Sequence, residues 1–103
     1  MASSRTAGAE LWELRLYVAD RSPKCQLAIE NLERTCEEYL AGRYQIEVVD
    51  LQKHPRRAAD DQILAVPTLV RKLPEPVRKV VGDLSDTDRL LAGLQLRRTD
   101  ETT

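Results

Sequence analysis

The chain has 103 residues, 42% of them hydrophobic and 32% charged, with a formal net charge of −1. That length suits one domain with a real core. The balanced charge argues against a nucleic-acid binder, which carries a basic excess on one face, and no apolar run approaches the roughly 18 residues that a membrane span needs.

Residues 1–10, MASSRTAGAE, are small and polar and read as a flexible lead-in. No apolar segment follows Arg5, so they do not make a secretory signal, and the cytoplasm is the expected compartment. In Leu11 to Val18, Leu14, Leu16 and Val18 alternate with Glu13, Arg15 and Tyr17, a period of two that predicts a strand. Ser22-Pro23 then opens a helix, a capping serine with proline at the first position. Cys25, Ile29, Leu32, Cys36 and Tyr39 recur in steps of four and three and form one apolar stripe. Leu40 extends that face, and Gly42 ends the helix. Tyr44 to Val49 alternates again and predicts a second strand, closed by Asp50.

His54-Pro55 starts a short helical piece from Arg56 to Leu64. Pro67 to Arg71 predicts a third strand, Leu73-Pro74-Glu75-Pro76 a rigid connector, and Val77 to Val81 a short fourth strand. Gly82-Asp83 is a turn. Ser85 to Asp88 resembles a capping box, with Ser85 as cap, and a last helix carries Leu90, Leu91 and Leu94 around Gly93. Residues 97–103 read as a disordered tail, which leaves one α/β domain over residues 11–96 with the order β-α-β-α-β-β-α. Two βαβ crossovers predict parallel pairing, and the short connection after the third strand predicts an antiparallel final hairpin.

The two cysteines, Cys25 and Cys36, stand 11 residues apart. On one helix that separation is roughly 16 Å, and a disulfide needs Cα atoms within about 7 Å. They can share a face but not a bond, and one His with two Cys falls short of a zinc set. A thiolate at the helix start would have a lowered pKa, yet Cys25 lies on the apolar stripe, which favours a core role. His54 reads as an exposed loop residue. Asp60 and Asp61 suit a solvated helix face, and Asp86 and Asp88 suit the first turn of the last helix. No phosphate-binding glycine loop and no catalytic constellation is present, so no metal or cofactor is expected.

The element order and Val66-Pro67-Thr68 resemble the thioredoxin fold, in which a cis-proline commonly begins the third strand. If Pro23 corresponds to the proline of a redox Cys-x-Pro-Cys turn, the cysteine positions fall on Arg21 and Lys24, and neither can exchange thiols. A narrower resemblance covers Leu11 to Leu96. The stretches LRLYVADRSPKCQLAIENL, YQIEVVDLQKHPRRAADDQILAVPTLVRKLPEPVRKVVGDLSD and LLAGL are similar to KaiB, the circadian-clock family of cyanobacteria, and its relatives in other bacteria.

The resemblance implies a non-enzymatic interaction protein that binds the ATPase ring KaiC and, in cyanobacteria, then captures KaiA. It also implies fold switching between a monomeric thioredoxin-like state, which binds the ring, and a tetrameric β-α-β-β-α-α-β state. A monomer, dimer or tetramer therefore follows from the fold state. The chain departs from the clock pattern at Asp20, at Pro74-Glu75-Pro76, at Glu47 where cyanobacterial members are basic, at Gln95 and at Arg98. Those departures leave KaiC binding as the expectation and weaken the case for KaiA capture, a tetramer and a self-sustained rhythm. They favour the thioredoxin-like state at rest.

In a thioredoxin-like order the second strand is an edge, a template for strand addition. Gln45 and Glu47 would point outward from it, and the short helix beside it would offer Arg56, Arg57, Asp60 and Gln62 as a partner-binding face. Pro67, Pro74, Pro76, Gly82, Gly93 and Gln95 are the expected hinge positions. X–Pro bonds exchange slowly, and a helical glycine costs about 1 kcal/mol relative to alanine. Two other functions fit the fold: a thioredoxin-like redox protein, and the sensor-type domain of a clock-linked histidine kinase, a kinase that is also a possible partner.

Overall fold

A computed structural model of the chain describes residues 11–19 and 22–96; the expected lead-in at 1–10, Asp20, Arg21 and the expected tail at 97–103 lie outside them. Seven elements follow in order: β1 (Trp12–Val18), α1 (Pro23–Tyr39), β2 (Tyr44–Asp50), a 3-10 segment (Pro55–Asp60), β3 (Thr68–Leu73), β4 (Arg78–Val81) and α2 (Thr87–Leu94). The strands form one sheet in the order β2-β1-β3-β4.

The α1 start is built locally, as the sequence predicts. Ser22 Oγ accepts the Cys25 N–H at 3.3 Å, and Pro23 occupies the first turn, where a missing N–H costs nothing. Cys25, Ala28, Leu32 and Cys36 are buried along one face, while Ile29 and Tyr39 are half-buried at its margin. The chain leaves through Gly42 (φ +77°), and Arg43 offers its carbonyl to the Trp12 N–H at 2.8 Å. Strand β2 therefore returns parallel to β1, from Trp12 opposite Tyr44 to Val18 opposite Asp50.

The second expected parallel crossover is not there: β3 runs antiparallel to β1, with Tyr17 opposite Thr68 and Leu14 opposite Arg71. The helical piece is a 3-10 segment of six residues, Pro55–Asp60, not a helix from Arg56 to Leu64, so the connection holds no crossover helix to pack along the sheet and carry the chain back to the level where β1 starts. The chain turns back at the same end of the sheet, through Gln62 (φ +55°). Strand β4 then pairs antiparallel with β3, as the final hairpin predicts, from Thr68 opposite Val81 to Arg71 opposite Arg78. The Val66–Pro67, Leu73–Pro74 and Glu75–Pro76 peptide bonds are all cis.

The two faces of the sheet differ. Trp12, Leu14, Leu16, Val18, Leu69 and Val80 pack under α1 and α2 in the main core. On the opposite face Tyr17, Val49 and Val70 form a smaller cluster under Leu51, Ile63 and Val66. Tyr17, grouped by alternation with the polar Glu13 and Arg15, is thus fully buried, because the 51–66 segment folds over that end of the sheet.

Helix α2 is capped by Asp86, whose Oδ1 accepts the Arg89 N–H at 3.1 Å, and not by Ser85. Asp83 Oδ1 already takes the Ser85 N–H at 3.0 Å, a local turn that shifts the helix start by one residue. Asp88 sits in the first turn, where the dipole favours an anion. Gly93 meets β4 closely: an added Cβ would lie 2.6 Å from Val80 Cγ2. Gln95 ends the helix in the left-handed conformation (φ +57°), and its N–H is taken by the Ala92 and Leu91 carbonyls.

Candidate partner-binding face

Strand β2 is an outer strand of the sheet. Its pairing puts Gln45 beside Glu13 and Glu47 beside Arg15 on the face that the helices do not cover, and both Gln45 and Glu47 are exposed. Glu13, Arg15, Gln45, Glu47 and Lys72 line an open depression of about 450 Å3 there.

A chain of charges crosses this face. Arg57 Nη1 and Arg15 Nε each hold one oxygen of the Glu47 carboxylate, at 3.1 and 3.0 Å. Arg57 Nε also reaches Asp60 Oδ2 at 2.9 Å. Arg15 continues inward, donating from Nη1 to Asp61 Oδ2 at 3.1 Å. The same Asp61 oxygen accepts the Tyr17 hydroxyl at 2.5 Å, and Asp61 Oδ1 accepts Lys72 Nζ at 2.5 Å. The ladder therefore joins the 3-10 segment, β2, β1 and β3.

Burial sets its electrostatics. Asp61, expected on a solvated helix face, is buried. Desolvation pushes its carboxyl upward, but hydrogen bonds from Lys72 and Tyr17 and the charges of Lys72 and Arg15 outweigh that and hold it below the ordinary value. The Tyr17 hydroxyl is pushed up, first by burial and then by its bond to Asp61. At the exposed end, the Arg57 hydrogen bond holds Glu47 below its ordinary value, with Arg15 adding to the effect.

The six residues expected at a binding face do not all meet. Glu47, Arg57 and Asp60 are bonded together, and Gln45 lies along the same depression as Glu47. Arg56 is exposed on the 3-10 segment. Gln62 lies apart, where its carbonyl accepts Lys79 Nζ at 3.4 Å. The hinge candidates are scattered: Pro67 is buried ahead of β3, Pro74 and Pro76 lie in the β3–β4 connector, Gly82 (φ +124°) follows β4, Gly93 presses on Val80, and Gln95 ends α2.

Sequence reasoning missed two features. One is the Asp61 hub, whose partners Tyr17 and Arg15 lie 44 and 46 residues away, with no local signal. The other is Leu64, which is 98% exposed and lines a small apolar hollow with Ile63, Thr68 and Val81. The sequence places it only at the end of the expected helical piece, with no signal of its exposure.

The thiol chemistry of a thioredoxin-like site has little to work with. Cys25 and Cys36 are free and buried, and desolvation, with Glu37 and Glu33 nearby, pushes the Cys36 thiol up to about 12. Lys24 is exposed in the first turn of α1, while Arg21 lies outside the described residues. Among the described residues no group of three His, Cys, Asp or Glu is placed to hold a metal ion, and no helix is long and apolar enough to cross a membrane.

Among solved structures, the N-terminal domain of Synechococcus elongatus SasA superposes with a TM-score of 0.68 at 22% identity, over 92% of this chain and 93% of that one. Oxidized mitochondrial thioredoxin 3 from Saccharomyces cerevisiae superposes with a TM-score of 0.66 at 17% identity, over 84% and 78%. At those identities the likeness speaks for the fold, which is thioredoxin-like. Sequence relatives are nearer. The circadian clock protein KaiB3 of Synechocystis is 40% identical over 83 residues, 81% of each chain. The circadian clock oscillator protein KaiB of Microcystis aeruginosa is 47% identical over 83 residues, 81% of this chain and 80% of that one. The KaiB domain model matches residues 15–96, nearly the whole described chain, and the chain belongs to the KaiB family of circadian-clock proteins.

Proposed function

We propose that this protein is a non-enzymatic interaction module of the cytoplasm that binds a KaiC-like ATPase ring and changes its phosphorylation or ATPase cycle. The observation that carries this reading is an outer strand left open, in a chain of the KaiB family. β2 offers unpaired backbone groups to a partner strand, and Gln45, Glu47, Arg57 and Asp60 form a charged rim beside it. Arg56 extends that rim. Leu64 is a candidate apolar anchor, since a residue 98% exposed loses the most water on docking. Gln62 belongs to that second patch. No cofactor is needed for such a role. A histidine kinase is a second partner class, and KaiA capture is not part of the proposal.

We further assign the ring-binding role to the thioredoxin-like arrangement and the hinge role to Pro67, Pro74, Pro76, Gly82, Gly93 and Gln95. Two packings separated by a few kcal/mol suffice for such a switch. In the second packing the C-terminal half would follow the β-α-β-β-α-α-β order and favour association.

Gel filtration and pull-down with a purified KaiC-type ATPase, in phosphorylated and unphosphorylated forms, test the partner. Co-elution with at least one form, weakened tenfold or more by Leu64→Asp or Glu47→Lys, is the expected result. Failure to associate with either form overturns the proposal.

A further inference from the structure

Arg71 is a charged residue inside the main core, 3% exposed. Its pairing opposite Leu14 points it to the helix-covered face. The guanidinium carbon stands 5.2 Å from the centroid of the Trp12 ring, within range of a cation–π contact. Nη2 donates to the Pro76 carbonyl at 2.7 Å, and Nη1 donates to the Leu94 carbonyl at the C-terminal end of α2. One side chain on β3 thus ties together the first strand, the proline connector and the last helix.

The chemistry of that tie is one-sided. A helix C-terminus leaves carbonyls without partners, and a cation there satisfies both the hydrogen bond and the dipole. A buried guanidinium is costly except where its donors and its face are occupied. When α2 lifts, the guanidinium regains water, which offsets part of the cost of exposing Leu90, Leu91 and Leu94. Helix α2 has only eight residues, too few to persist alone in water. Docking and helix formation are therefore one event.

We propose that Arg71 is the clamp of a detachable C-terminal cover: α2 opens as a unit while α1 and the sheet stay folded, and Arg71 sets how often. The inference concerns the seat of α2 and not the β2 edge, so it stands or falls independently of any KaiC-type partner.

Trp12 is the single tryptophan of the chain and reports on the clamp directly. Arg71→Lys keeps the charge but loses the planar fork. Hydrogen exchange of the full chain should show amides of residues 87–95 exchanging at least tenfold faster in R71K, with residues 23–39 changed less than twofold. Trp12 emission should shift to the red. Equal acceleration of both segments, or no acceleration at 87–95, overturns the proposal. In the unaltered protein, a urea titration should move Trp12 emission before far-UV dichroism reports loss of α1. Coincident transitions there overturn it even where R71K fails to fold.

Discussion

Asp61→Asn tests whether the buried carboxylate holds the 51–66 segment to the sheet. The substitution keeps size and shape and removes one charge from a side chain 5% exposed. Two cations lose their counter-ion. Full burial would make that loss about 3–5 kcal/mol, but Arg15 and Lys72 are 22% and 30% exposed and regain part of their hydration. Arg15 also keeps Glu47, and Tyr17 can still donate to the amide oxygen. A net cost of about 1.5–2.5 kcal/mol at pH 7 follows from one charged hydrogen bond weakened at each cation and discounted for exposure. The pH dependence has a definite sign. The carboxyl lies below its ordinary value in the folded protein, so its contribution is complete above the unfolded value, near 4, and is lost as pH falls through the folded value. Urea unfolding followed by far-UV dichroism should give a wild-type advantage that is flat from pH 7 to 5 and shrinks below pH 4. A difference under about 0.5 kcal/mol at pH 7, or one that persists undiminished at pH 2, would refute the role given to Asp61.

Gly93→Ala should destabilise the fold by about 1–3 kcal/mol, although alanine favours helices. The new Cβ would meet Val80 Cγ2 at 2.6 Å, and overpacking outweighs a propensity gain of about 1 kcal/mol; Val80→Ala in the same chain should recover part of the loss in thermal melts. Neither Cys25 nor Cys36 should react with a thiol reagent at pH 8 in the folded protein, since both are buried and burial pushes the Cys36 thiol up to about 12. Rapid stoichiometric labelling without denaturant would contradict that. Leu64→Ala should leave urea stability within about 0.5 kcal/mol, because the side chain is 98% exposed, so any loss of partner binding in that variant reads as lost contact.

Local signals were legible where the chain answers to its neighbours. Ser22-Pro23 announces α1 because a cap needs only the next turn, and the helix stripe is visible because its spacing matches the helix period. The Ser85 cap misled because Asp83, outside the four-residue motif, already accepts the Ser85 N–H, and Asp86 one residue on takes the Arg89 N–H as the cap. Alternation groups Tyr17 with the polar Glu13 and Arg15, yet what lies on that face is decided by Val49 and Val70 from two other strands. The direction of β3 depended on how much helix the 51–67 connection contains, and periodicity over so short a stretch separates a 3-10 turn poorly from an α-helix. The exposure of Gln45 and Glu47 on an outer strand was legible from strand alternation and element order. Asp61 was invisible because its value comes from groups 11 to 46 residues away.

The charge ladder gives the two halves of that face different mechanical roles. At its outer end Glu47 is about half exposed and shared between Arg15 and Arg57, so each ion pair there is worth little on its own and exchanges with water at small cost. At its inner end Asp61 is buried and bonded three ways, so it resists rearrangement. Arg15 belongs to both ends. A partner group that displaces Glu47 therefore frees one arm of Arg15 while the other stays on Asp61, and the 51–66 segment keeps its place on the sheet. A face built this way can trade its surface contacts for a partner's without unfolding the edge that presents them. In the proposed binding role this suits the β2 edge, which would have to stay ordered enough to serve as a template and remain open to pairing.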